Sequence, residues 1–415
     1  MGGNGSRPTG LLSCCRCLVR TTLSRWDQLG KLSGIRVLDL SRVLSGPYCT
    51  VLLADLGAEV IKIEAPHGGD DARSLGPFKN GESLYFALLN RGKKSVTLDL
   101  KDPKGQAAIR RLVESCDVLV ENFRPGVAAR LGIDYPTLTV RNPGLVYVSI
   151  SGFGQEGPLA NLPAYDIVVQ AMSGLMSITG WPDGPPTRAG ESLGDIVAGL
   201  FAAWAIMVGL FDRERTGRGT HIDLAMLDCL MAVEVTALSQ VNATGVAPGR
   251  VGNRHPVSTP FDTYQASDGL VVLAVANDKS FARLASLLDH PEWCTDERFC
   301  SDEARTLHER ELRAFIEAWS SRKTVTQVVE SARESGVAAS AIWDLKQALS
   351  SEQVKERASV VRVAHPRAGT MSIIPQPARF SDQPREFLTS SPSLGQDTEA
   401  ILSDLGLEAA GGTSP

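Results

Sequence analysis

Aromatic residues are scarce in this chain of 415 residues, at 6%, and the formal net charge is −5. Neither a stacking platform for bases nor a dominant basic face follows from that composition, so nucleic acid is not expected as a partner. The six histidines, His67, His221, His255, His290, His308 and His365, form no H-x-x-x-H or mixed His/Cys set, and no metal site is expected. The eight cysteines lack ligand spacing as well. Cys49, Cys116, Cys229, Cys294 and Cys300 are scattered, and Cys14, Cys15 and Cys17 cluster near the start. A disulfide framework is not expected in so long a chain. The longest apolar stretch, residues 196–211, is bounded by Asp195 and Asp212 and falls short of the roughly 20 residues that span a bilayer. It reads as a core helix, and no membrane is expected as a partner.

Acidic residues are missing from residues 1–26, where Arg7, Arg16, Arg20 and Arg25 stand among Ser and Thr. That pattern is one of a mitochondrial presequence. Met1-Gly2 with Ser6 also fits the short N-myristoylation pattern. A third reading is an unstructured leader over residues 1–31, ahead of a domain starting near Leu32. The expected location is the cytoplasm, with the mitochondrial matrix as the alternative.

What is present is an ordinary globular composition, 43% hydrophobic and 21% charged, in a chain long enough for two domains. From residue 35 short β-rich runs alternate with helical ones. Strands are expected at 35–40, 58–64, 94–100, 117–121 and 145–150, and helices at 45–56 and 103–114. Such alternation implies βαβ units and a mainly parallel sheet. Residues 212–220 read as a connection, after which 261–266 and 270–276 read as a hairpin opening a smaller α+β domain. The end of the chain is polar.

Gly152-Phe-Gly154-Gln-Glu-Gly157 matches G-x-G-x-x-G, but Pro158 follows and no helical period opens there, as a dinucleotide site would require. It reads as a glycine loop closing over a substrate. Positive charge gathers between Arg91 and Arg130. Lys93 and Lys94 open a strand, and Asn122-Phe123 ends another, positions suited to a ligand bearing phosphates and an adenine. Asp195, directly after Gly194 and ahead of the apolar run, falls in the first turn of a helix, where unpaired N–H groups favour a carboxylate. It reads either as a helix cap or as a nucleophile toward an activated acyl group, with Gly194 leaving room for that group. Asp166 is a competing nucleophile, but it follows Pro163-Ala-Tyr165 and precedes a helical run, and it reads as an N-cap. Arg250, Asn253, Arg254 and His255 lie in a loop that either links the domains or reaches the acyl group.

Residues 53–64 (LADLGAEVIKIE), 90–101 (NRGKKSVTLDLK), 117–126 (DVLVENFRPG), 152–158 (GFGQEGP), 193–195 (LGD), 216–219 (TGRG) and 394–398 (LGQDT) resemble, in order, the class III coenzyme A-transferases. The resemblance implies an interlocked homodimer of ring-like subunits. Each would have a Rossmann-like large domain with a mainly parallel sheet, 32–220 and 336–400, a smaller inserted α+β domain, 221–335, and a tail, 401–415. It makes Asp195 the catalytic nucleophile. It makes Leu98, Asp99, Leu100, Lys101, Asn122, Phe123 and Arg130 contacts for coenzyme A, which is a substrate here and not a permanently bound cofactor. Leu44 and Ala65 depart from the glutamine and arginine that formyl-CoA transferases carry at the matching positions. The implied reaction carries coenzyme A from an acyl thioester to a carboxylic acid through a mixed anhydride and an aspartyl thioester. Backbone N–H groups near Gly154 or Gly194 are candidates for holding the oxyanion and the acyl group. Every step exchanges one activated carbonyl for another, so no ATP or metal is implied.

Two rival readings stand beside transfer. α-Methylacyl-CoA racemases share the fold and the aspartate, but they need a second acid/base and supply a histidine where this chain has Tyr165. A coenzyme A-binding protein without turnover would be free to lose Asp195. Arg188, seven residues before Asp195, resembles an arginine that succinyl-CoA–glutarate transferases carry at the matching position. A guanidinium there could hold a second carboxylate, which makes succinyl-CoA an expected donor and a short dicarboxylate the acceptor. The competing reading pairs Arg188 with Glu191 or leaves it in solvent.

Overall fold

The computed structural model describes residues 30–381 and 388–407. The targeting and acylation readings concern residues that lie outside these, as do residues 408–415 of the tail. Strands β1 (Arg36–Asp39), β2 (Glu59–Glu64), β5 (Lys93–Thr97), β6 (Val118–Glu121), β7 (Val146–Ser151) and β8 (Thr220–Ala225) form one sheet in the order β5-β2-β1-β6-β7-β8. Every pairing in it is parallel. Two-residue strands β3 (Phe78–Lys79) and β4 (Glu82–Ser83) make a small hairpin between β2 and β5. The winding reverses between β1 and β6, which opens a crevice at their carboxyl ends.

Alternation along the strands builds two apolar layers. Val37, Val60, Val118, Val120, Val146 and Val148 face helices Ser45–Asp55 and Leu193–Thr216. Leu38, Ile61, Val96, Leu119 and Tyr147 face helix Pro103–Leu112 and the C-terminal helix Thr398–Asp404. Burial on both faces explains why these strands read as nearly continuous apolar runs.

The expected connection at 212–220 is corrected. The long helix continues to Thr216, and Thr220 begins β8. At 24 residues that helix is also long and apolar enough to cross a bilayer by length and composition, contrary to the shorter span read from the sequence. Its inner face, Ala198, Ala202 and Ile206, is nonetheless fully buried in the core.

The second sheet is antiparallel: β9 (Phe261–Ala266) and β10 (Gly269–Ala274) form the expected hairpin, and β11 (Ala338–Ala341) pairs with β10. Tyr264, Phe281, Trp293, Phe299 and Ile316 fill its separate core. A further hairpin joins β12 (Val361–His365) to β13 (Gly369–Ile373). The changes between sheets come later than boundaries at 220 and 335 would place them. β8 continues the large sheet to Ala225, and the helix after it buries Met226, Cys229 and Leu230 in the large core. β11 completes the small sheet beyond residue 335.

The chain then returns to the open edge of β5. Asp397 exchanges hydrogen bonds with Ser95, accepting its N–H at 2.8 Å and donating its own to the Ser95 carbonyl at 2.9 Å. Thr398 Oγ1 accepts the Thr97 N–H at 3.0 Å. Residues 401–407, expected as the start of a polar tail, belong to this layer, because Leu402 is buried among the apolar side chains.

Candidate active site

Asp195 lies in the first turn of helix Leu193–Thr216, as its position in the sequence implies. Its carboxylate accepts hydrogen bonds from the hydroxyl and the amide of Ser45, the first residue of helix Ser45–Asp55. Two helix N-termini therefore meet at one carboxylate. The meeting is made by Gly199, where a Cβ would lie 2.7 Å from the Ser45 carbonyl oxygen and 3.1 Å from the Tyr48 ring. Only a bare backbone lets the helices approach that closely.

The loop from β1 to Ser45 is pinned from beneath. Asp39, fully buried, accepts the Ser41 N–H at 2.9 Å, the Thr50 hydroxyl at 2.7 Å and Lys93 Nζ at 3.0 Å. Burial works against the Asp39 carboxylate, but the Lys93 and Lys62 ammonium groups outweigh it and hold its pKa well below the ordinary carboxylate range. Lys62 donates to the Ser41 carbonyl at 2.8 Å, and Asp70 accepts the Val43 N–H at 3.0 Å. Val43 sits at φ 66°, a conformation that a β-branched residue holds only when its surroundings impose it. Asn122 closes the crevice from β6: its side-chain amide bonds both the N–H and the carbonyl of Arg42 at 2.8 Å and reaches the Ser45 hydroxyl at 3.2 Å.

Lys93 is thus part of the fold and unavailable to a phosphate. Arg91 is likewise buried, in a two-point pair with Asp55. Lys94 pairs with Glu59 at the amino end of β5, on the edge opposite the crevice. The three share one cause: charge that orders the fold resembles, in sequence, charge available to a ligand.

The remaining coenzyme A candidates gather on the carboxyl edge. Leu98 follows β5 and is buried, with Leu100 and Phe123 packed against the same apolar layer. Asp99 accepts the Lys101 N–H at 2.9 Å, and Glu121 accepts the Phe123 N–H at 2.7 Å. Burial pushes Glu121 up to about 7. Lys101 and Arg130 are exposed.

Gly194 does not make room for an acyl group. It is buried, a Cβ there would lie 3.1 Å from Asp166 Oδ1, and its N–H donates to that same oxygen at 2.8 Å, so it offers no free donor to an oxyanion. Gly154 takes φ +88° in the loop after β7, beside Asp223 and Ala225 of β8, and no helix opens there. Asp166 is a first-turn residue of helix Asp166–Ser173, after Tyr165 as N-cap, and both of its oxygens are engaged. Arg188 approaches Asp166 at 3.7 Å and not Glu191. Arg250 is committed to the carbonyls of Trp181, Pro182 and Gly184. Tyr85 was not singled out in the sequence. Burial raises its phenol to about 12, with Asp195 the largest charge acting on it, so its hydroxyl stays neutral. Ser45 and Gln170 were also missed, since neither belongs to a recognisable motif. Among the described residues no group of three or more His, Cys, Asp or Glu is placed to hold a metal ion.

Burial, then the charge of Asp166, raise Asp195 to about 6, against the opposing hydrogen bonds from Ser45. The helix-end effect expected to keep its pKa low is outweighed by desolvation. A nucleophilic role would require the carboxylate form of Asp195, so activity is then expected to fall as the pH drops through about 6, approaching tenfold per unit below it. The pH dependence of kcat/KM checks this, and an acid limb near pH 4, the range of an ordinary aspartate at about 3.9, would refute it.

The architecture is that of an α/β enzyme with a carboxylate at the switch point of a parallel sheet, and the comparisons narrow it further. Residues 32–398 match CoA-transferase family III. The chain is 43% identical over 375 residues to the acetyl-CoA:oxalate CoA-transferase of Acetobacter aceti, covering 90% of this chain and 95% of the relative. It is 40% identical over 381 residues to the succinate–glutarate CoA-transferase of Agrobacterium fabrum, with coverage of 90% and 95%. A CAIB/BAIF family protein from Brucella suis, solved by crystallography, is 37% identical with a TM-score of 0.80, covering 91% of this chain and 100% of that one. The chain belongs to CoA-transferase family III, and it is an enzyme of that class.

Proposed function

We propose that this chain transfers coenzyme A from an acyl-CoA, succinyl-CoA or a near relative, to a short dicarboxylic acid, through covalent intermediates on Asp195. The carrying observation is Asp195 itself, a desolvated carboxylate met by two helix N-termini at the carboxyl edge of the sheet. Its oxygen attacks the thioester carbonyl and expels coenzyme A thiolate, leaving a mixed anhydride. The thiolate attacks the aspartyl carbonyl and releases the donor acid, giving an aspartyl thioester. The acceptor carboxylate attacks that thioester, freeing thiolate again, and the thiolate takes the acceptor acyl group and restores Asp195. The Ser45 amide, already directed at the aspartate, is a donor for charge developing on the aspartyl oxygen.

Lys101, Phe123 and Arg130 would receive coenzyme A along the strand ends. Support for dicarboxylates comes from Arg188, exposed and near the nucleophile's helix, and from relatives named for oxalate and for succinate and glutarate. The large domain is Rossmann-like in this reading, and the subunits form an interlocked homodimer. Leu200, Trp204, Val208 and Phe211 line the outer face of the long helix, each at least 46% exposed, and a second copy would cover them. The test is purified protein with succinyl-CoA and a panel of carboxylic acids, read by mass spectrometry, with sedimentation for the dimer. New dicarboxylyl-CoA esters are expected; transfer to monocarboxylates alone would overturn the substrate assignment.

A further inference from the structure

The loop between Arg188 and Gly194 joins the two groups proposed to touch substrate. Three of its backbone groups are held by side chains from a single turn of helix Asp166–Ser173. Gln170, fully buried, accepts the Ala189 N–H on Oε1 at 2.9 Å. Its Nε2 donates to the Glu191 carbonyl at 3.2 Å and to Asp166 Oδ2 at 2.8 Å. Asp166 Oδ1 accepts the Gly194 N–H at 2.8 Å. The i, i+4 spacing puts both side chains on one helix face, so they hold the loop as a unit. Arg188 stands 3.7 Å from Asp166 Oδ2, beyond hydrogen-bond length, with its side chain 42% exposed. Its donors therefore remain available to another carboxylate.

We infer that Asp166 and Gln170 form a template that fixes the spacing between Arg188 and Asp195, and that this spacing selects the chain length of the dicarboxylate. The inference rests on the proposed roles of Arg188 and Asp195. A dicarboxylate must reach the reacting centre with one end and Arg188 with the other, so a rigid loop admits one span well and its neighbours poorly. A loop freed from its helix would let Arg188 follow acids of several lengths. Both template residues are positioning residues, since neither needs to touch substrate.

The test compares kcat/KM over the α,ω-dicarboxylates from oxalate to adipate, with a monocarboxylate control, in wild type, Gln170→Met and Gln170→Glu. Methionine keeps the length and loses every polar contact; glutamate keeps an acceptor for Ala189 but loses both donors. A sharp optimum is expected in wild type, flattened tenfold or more in both variants, while the affinity for free coenzyme A stays within about twofold. A length profile unchanged in both variants would overturn the template, and so would equal loss for every acid and the monocarboxylate. Asp166→Asn supplies an independent readout. The groups acting on Asp195 are Asp166 and Ser45, and Tyr85 in turn feels Asp195, Glu191, Asp70 and Asp166. Removing the Asp166 charge should move the acid limb of kcat to lower pH and broaden the length profile; an unmoved limb with an unchanged profile counts against it. Arg188→Met separates the two levels of inference. If it abolishes dicarboxylate preference while both Gln170 variants keep their profile, only the template fails. If wild type takes dicarboxylates of every length equally well, only the template fails; if wild type prefers monocarboxylates, the roles of Arg188 and the template fail together.

Discussion

Asp195→Ala and Asp195→Asn are expected to lose coenzyme A transfer by roughly ten-thousandfold or more in kcat, the scale on which removal of a covalent nucleophile is felt. No neighbouring group can replace it. Asp166, 8% exposed, has both oxygens committed, and Tyr85 remains a neutral phenol. The folded protein should not suffer. The folded-state pKa of Asp195 is raised to about 6, so its favourable contribution to stability is present below the unfolded value, near 4, and is lost as the pH rises through about 6. At pH 7 the ionised carboxylate is a burden that asparagine does not carry, and the melting temperature of Asp195→Asn should match or exceed that of wild type. Hydroxylamine added during turnover should modify Asp195 and leave Asp166 untouched. More than a few per cent of wild-type turnover in a well-folded Asp195→Ala protein would remove Asp195 from the mechanism.

Arg188→Met should impair dicarboxylates by on the order of 2 kcal/mol, about thirtyfold in kcat/KM, the value of a charge-assisted hydrogen bond. Monocarboxylates should be spared, because they offer the guanidinium no second carboxylate in wild type either. The loose 3.7 Å approach to Asp166, at an exposed side chain, means that little native stability rests on this pair. The decisive measurement is the ratio of kcat/KM for glutarate to that for a monocarboxylate of the same length. A ratio unchanged by the substitution, with both acids losing equally, would show that Arg188 shapes the site without reading the second carboxylate.

The parallel sheet was legible because its strands are buried on both faces and read as short apolar runs between turns. β8 was not: half-exposed at the sheet's edge and preceded by Asp212, Arg213, Glu214 and Arg215, it reads as a continuation of a charged linker. The place of Asp195 at a helix start followed from the apolar run and the glycine before it. Its pKa did not, because desolvation and the charge of Asp166 depend on a separate helix that packs beside it only in the fold. Lys93 and Arg91 look in sequence like phosphate ligands, and only the placement of Asp39 and Asp55 beside them shows where their charge is used. Gln170 could not be read at all, since two of its three partners are main-chain atoms of another loop.

The return of the chain to β5 bears on how the protein is made. Strand β5 is an edge of the large sheet, and its outward N–H groups at Ser95 and Thr97 are met by Asp397 and Thr398. During synthesis some 300 residues are translated between the strand and its cover, as the 302-residue separation of Ser95 and Asp397 records. At roughly 5–20 residues per second the nascent sheet carries a bare edge for tens of seconds, open to pairing with other strands. A ribosome that stops before Asp397 would release a chain that contains every residue of the candidate active site but lacks the groups that cover that edge.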